Sequence, residues 1–135
     1  MAKKNARKSI DDTERVSRIR QQLYQLRKEQ DGFLWELAKP SQMIIGSFYE
    51  VYKTCTKKNC CCQRGKRHGP FPALFISIQG KRKLKMIRKQ DRQGVEEKAK
   101  AYRKFQFGLK VIRRINKEIE HLLEEIKGYF LEEYQ

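Results

Sequence analysis

The sequence predicts an α+β protein. Long N- and C-terminal helices form an antiparallel coiled-coil-like hairpin, with a three-stranded antiparallel head between them. Three observations carry this reading. Two apolar stripes with 3-4 spacing, Val16 to Leu37 and Ile112 to Tyr129, lie at opposite ends of the chain. Between them come three short runs rich in apolar, β-branched and aromatic residues. All four cysteines fall within one eight-residue stretch that separates the first run from the second.

At 135 residues the chain suits one domain with an extension, and 39% hydrophobic against 36% charged residues favours amphipathic helices around a modest core. Residues 1–9 read as a basic, disordered tail. The N-terminal helix, residues 10–39, starts where Asp11 and Asp12 place carboxylates in the first turn. Its stripe is Val16, Ile19, Leu23, Leu26, Gln30, Phe33 and Leu37. Pro40 ends it, because proline has no N–H and disfavours helix in the residue before it.

The head spans residues 43–90. Its strands are Met43 to Tyr52, Pro72 to Gln79 and Arg82 to Arg88, with Gly80-Lys81 as a two-residue turn in which glycine supplies positive φ. Leu74, Ile76 and Ile78 share one face of the second strand, and Leu84 and Met86 share one face of the third. A single apolar face then needs a covering helix. The C-terminal helical segment, residues 92–134, carries Val95, Ala99, Tyr102, Gln106 and Leu109, then Ile112, Ile115, Ile119, Leu122, Ile126 and Tyr129. The register slips between these sets beside Gly108, which predicts a bend or break there.

The cysteine loop reads Cys55-x4-Cys60-x-Cys62-x5-His68. Three thiolates and an imidazole are a donor set that Zn²⁺ accepts in tetrahedral geometry. The loop is polar and basic, so it has little apolar material of its own, and a structural zinc would supply the missing folding energy. Simple core cysteines would not sit among Thr54, Thr56, Lys57, Lys58, Gln63 and Arg64. Disulfides between neighbouring cysteines are strained, and no Cys-x-x-Cys redox motif is present. Cys55, Cys60 and Cys62 turn to one centre more easily than immediate neighbours do. His68 is the best fourth ligand and Cys61 its rival. His121 reads as a surface residue. The head is thus zinc-ribbon-like.

Charge points to the partner. The formal net charge is +16, and Lys53 to Arg92 holds 13 basic residues against the single acid Asp91. Such an excess attracts polyanions, so nucleic acid is the expected partner, DNA favoured over RNA. The contact candidates are Lys57, Lys58, Arg64, Lys66, Arg67, Lys81, Arg82, Lys83, Lys85 and Arg88. Phe71, Phe75, Tyr49 and Tyr52 offer rings for base stacking, although packing beneath the sheet is the commoner use of such residues. No base-reading helix is evident, so sequence specificity is expected to be low.

No apolar run is long enough to cross a membrane, and no signal peptide is evident. The expected setting is the cytoplasm, at the nucleoid if DNA is bound. Paired carboxylates, a phosphate-cradling glycine loop and a nucleophile with an evident base are all missing. The protein is therefore expected not to be an enzyme and to have no small-molecule substrate. The heptads and the acidic segment Glu118 to Glu133 support an alternative, a helical assembly or adaptor protein that docks on a second copy or a helical partner.

The run Gly46-Ser47, Cys55-x4-Cys60-x-Cys62-x2-Gly65-x2-His68-Gly69-Pro70-Phe71 and Gly80-Lys81 resembles a family of uncharacterised small prokaryotic proteins. That family carries Cys-Gly-x3-Cys-x-Cys-x2-Gly-x2-His-Gly-Pro-Tyr and often lies beside mobile genetic elements. The resemblance covers about residues 45–105, with Thr56 in place of the usual glycine and Phe71 in place of tyrosine. It implies Cys55, Cys60, Cys62 and His68 as the shared pattern, Cys61 as a variable position, and an accessory role in a mobile element.

Overall fold

A computed structural model describes residues 10–39 and 41–135, apart from the side chains of Ile10, Cys61 and Gln63. The tail expected over residues 1–9 lies outside the described residues. The elements are α1 (Ile10–Leu37), β1 (Ser47–Lys53), a 3-10 turn (Cys61–Arg64), β2 (His68–Ile78), β3 (Lys81–Met86), a second 3-10 turn (Lys89–Asp91) and α2 (Arg92–Phe130). The chain divides into two compact units. One comprises Met1–Lys39 with Gly108–Gln135, the other Pro40–Phe107.

In the helical unit, α1 and the second part of α2 bury their stripes. Ile19 and Ile115 are fully buried, Val16 and Val111 nearly so. Complete burial of such a side chain contributes about 1.5–3 kcal/mol. Leu23, Leu26, Gln30, Phe33 and Leu37 are half-buried, as are Ile112, Ile119, Leu122, Ile126 and Tyr129. Arg15 bonds Glu125 at 2.8 Å, Arg114 meets Glu29 at 3.5 Å, and Gln30 donates to Asn116. Partner numbers fall on α2 as they rise on α1, which makes the pair antiparallel, as the stripes predict.

α2 is continuous through Gly108, so of the bend or break expected there the break is absent. Gly108 and Val111 are both buried and fill the apparent slip between stripes. A Cβ at Gly108 would lie 2.8 Å from Leu37 Cδ2, so the glycine lets Leu37 close onto the helix. The helix ends at Phe130 rather than at 134, shortly after Gly128, a residue that weakens a last turn.

The sheet unit holds an antiparallel sheet in the order β1-β2-β3. β1 begins at Ser47, later than Met43, because the preceding segment serves α2 instead: the Ile44 amide donates to the Lys98 carbonyl at 3.1 Å. One face of the sheet carries Leu74 in register with Phe48 and Lys85. Leu74 lines a crevice with Ile44, Ile87 and Val95, and Arg92 of α2 bonds Glu50 on this same face. The opening of α2 therefore covers it, with Ala99 buried.

Two expectations need correcting. The turn between β2 and β3 is Gln79-Gly80, with φ of 52° and 78°, so Ile78 pairs with Lys81. Positive φ at both central residues is the type I′ pattern, whose twist suits a hairpin better than a glycine at the first position alone. The sheet also has two apolar faces. Leu84 pairs with Phe75 and Met86 with Ala73, on the side opposite Leu74 and Ile76. Any two-residue turn sets even-numbered residues of β2 against odd-numbered residues of β3, so Leu84 could never have joined Ile76.

Candidate metal centre

Each ligand is placed by its own local device. Cys55 follows the end of β1, and the Cys60 amide donates to Lys57 O at 3.3 Å to turn the loop back. Cys62 sits in the 3-10 turn, closed by the Gly65 amide donating to Cys62 O at 3.2 Å. His68 is the first residue of β2. The β1–β2 register shifts here: Val51 pairs with Phe71 and Lys53 with His68, so Tyr52 faces both Gly69 and Pro70. Such a bulge re-aims the side chain beside it. Gly69 has φ of 134°, and a Cβ on it would lie 2.8 Å from Val51 O. Only glycine fits that position, directly after His68.

The Cys55, Cys60 and Cys62 sulfurs and a His68 ring nitrogen all lie within 4.8 Å of one another, and all four residues are half-buried. His68 Nε2 is 2.9 Å from Cys60 Sγ and 3.2 Å from Cys55 Sγ, and the Cys60 and Cys62 sulfurs are 3.9 Å apart. A tetrahedral zinc with its usual bond lengths sets sulfurs about 3.8 Å apart and sulfur from nitrogen about 3.6 Å. The Cys60–Cys62 pair matches, and the imidazole would retreat by about 0.4 Å from Cys55 and about 0.7 Å from Cys60. The Cys55 amide donates to Cys62 Sγ at 3.3 Å. A hydrogen bond from the Lys57 amide draws the Cys55 thiol pKa down, yet Cys60, burial and Cys62 together push it above its ordinary value. Crowded thiols of this kind call for a cation. The four residues are positioned to bind a metal ion, and their chemistry is that of zinc.

The rival ligand Cys61 has its side chain outside the described residues. His121 is exposed on α2, in the helical unit. The proposed contact residues Lys57, Lys58, Arg64, Lys66, Arg67, Lys81, Arg82, Lys83, Lys85 and Arg88 are all exposed. They do not gather at one end of the sheet. The metal loop precedes His68 at one end of β2, and Lys81 and Arg82 open β3 beside Ile78 and Ser77 at the other. At about 3.3 Å per residue these ends are roughly 33 Å apart.

A two-stripe helical hairpin and a three-stranded antiparallel sheet with a Cys3His cluster define a small α+β protein with a loop positioned to bind a metal ion. The chain belongs to the family described as domain of unknown function DUF6788, whose model matches residues 13–97. The match takes in most of α1 and the whole sheet and stops within the first turns of α2. It reaches further toward the N-terminus than the 45–105 stretch that carries the resemblance. No curated protein and no solved structure matches the chain. Among the described residues no helix is long and apolar enough to cross a membrane.

Proposed function

We propose that this is a zinc-stabilised nucleic-acid-binding protein, acting on DNA in preference to RNA and with little sequence specificity. One observation carries the reading. None of the ten basic contact residues forms an ion pair with an acid among the described residues. Four protein donors fill a zinc's coordination, so the ion holds the loop rigid and leaves no position for a reacting water. The protein then works by binding rather than catalysis. The family resemblance suggests an accessory role in a mobile element.

Each phosphate neutralised by lysine or arginine releases counterions, so affinity should fall steeply as salt rises. Fluorescence anisotropy with labelled DNA tests this. Replacing Lys66, Arg67 and Arg82 by alanine should lower the slope of log K against log salt by about 3 while leaving stability within about 0.5 kcal/mol. An unchanged slope would remove these residues from the interface.

The helical unit favours a second, compatible reading. Between α1 and α2 it has a groove of about 940 Å³ lined by Leu26 and Leu122 with Arg18, Gln22, Lys117 and His121. Tyr24, Trp35 and Leu123 are exposed on the same unit. A helix from a partner or a second copy would bury such groups, and light scattering that shows a strict monomer counts against the second-copy form.

A further inference from the structure

The face of the sheet turned away from α2 carries Phe71, Ala73 and Phe75 of β2, Tyr49 and Val51 of β1, and Leu84 and Met86 of β3. Ala73 at its centre is fully buried, yet Tyr49 is 50% exposed, Phe75 43%, Leu84 49% and Met86 40%. The Tyr49 and Phe75 rings meet edge to face with centroids 5.3 Å apart. Packing that pair beneath the sheet is the ordinary fate of such residues, and here it has not happened. Two rings stand on an open, pleated floor, with Arg82 on the same face beside Ser77.

We propose that this face is a stacking platform for the bases of single-stranded nucleic acid. The inference rests on the nucleic-acid reading above and adds which form is bound and where. Aromatic rings on an exposed sheet stack unpaired bases, whereas the bases of a duplex are already stacked and present only their edges. The charge pattern agrees. Basic residues of the metal loop stand at one end of β2 and Arg82, paired with Ser77, at the other, with the rings between. A strand crossing the face meets phosphate contacts at both ends and stacking in the middle. The roughly 33 Å between the ends of β2 suits a site at the short end of the ~4–16 nucleotides that single-strand-binding barrels occupy.

A second copy is the competing occupant of an apolar face. Pairing two such faces would bring together two units that each hold 17 basic and 4 acidic residues, so like charge opposes it. A polyanion has the complementary sign.

The test uses the zinc-loaded full chain with a labelled oligothymidylate and a labelled duplex of equal length, each titrated across salt. The expected result is tighter binding of the single strand. Tyr49→Ala with Phe75→Ala should weaken single-strand binding by about 10-fold or more and leave the duplex within about twofold, at an unchanged salt slope. Arg82→Ala should instead weaken both and lower the slope by about 1. Phe75→Leu keeps the apolar volume and removes the ring. With zinc content and circular dichroism unchanged, it should lose single-strand affinity too.

Equal losses for both nucleic acids, or none for either, would overturn the platform while the phosphate-binding reading stands. No binding of either probe at low salt would overturn both. A dimer abolished by the Tyr49→Ala/Phe75→Ala variant, with DNA affinity unchanged, would assign the face to a second copy.

Discussion

The two units of this chain handle charge and apolar surface in opposite ways. Residues 10–39 and 108–135 hold 11 basic and 12 acidic residues, net −1, whereas residues 40–107 hold 17 and 4, net +13. In the helical unit charges meet partners. Arg15 bonds Glu125, and that hydrogen bond, then the charge itself, raises the Arg15 pKa. Such half-exposed pairs are screened by solvent and contribute little, so the buried stripe around Ile19 and Ile115 does most of the stabilising. The sheet unit buries little beyond Pro72, Ala73, Leu74 and Ala99, and its like charges repel. On the function proposed above, a metal supplies the stability this unit lacks, and most of its cations meet a polyanionic partner.

If that contrast is right, removing the metal should break it most completely. Chelation of zinc, or Cys60→Ser, should unfold the sheet unit's loop and cost several kcal/mol, given apparent binding energies of about 10–16 kcal/mol for structural zinc in small domains. Hydrogen exchange should show protection lost along β2 and retained around Ile115. Lower pH should release the metal in the same way, because its thiolate ligands become protonated. Next in size, Ile115→Ala should cost about 2–5 kcal/mol in the helical unit while zinc content stays the same. A loss of zinc in that variant would mean that the two units are not separable.

Gly69→Ala sharpens the comparison inside the sheet unit. Its backbone strain is about 1–3 kcal/mol, with a clash against Val51 O in addition, and the change should appear as weaker zinc affinity in competition with a chromophoric chelator. The smallest effect is expected at the turn. Gln79→Asn should stabilise the hairpin by about 0.5 kcal/mol, since asparagine tolerates positive φ better than glutamine. An unchanged or lower Tm would contradict the turn assignment.

Much of this was legible in the residues. The 3-4 spacing from Val16 to Leu37 named the buried side of α1 because helical period and burial are one signal. The cysteine spacing named a set of donors that the structure draws together. Other features were hidden for physical reasons. A turn's position depends on backbone twist, and Gly80-Lys81 and Gln79-Gly80 differ by only one step. The second apolar face followed from strand parity, but only once the hairpin was seen as a two-residue turn. Burial of Gly108 and Val111 depended on how closely Leu37 approaches, which spacing alone does not encode.

The most direct test of the account is the salt dependence of single-strand DNA binding by the zinc-loaded chain, measured beside the chelated chain. The account predicts tight binding at low salt, a steep fall as salt rises, and a large loss once zinc is removed. No binding at low salt, or the same affinity with and without the metal, would contradict it.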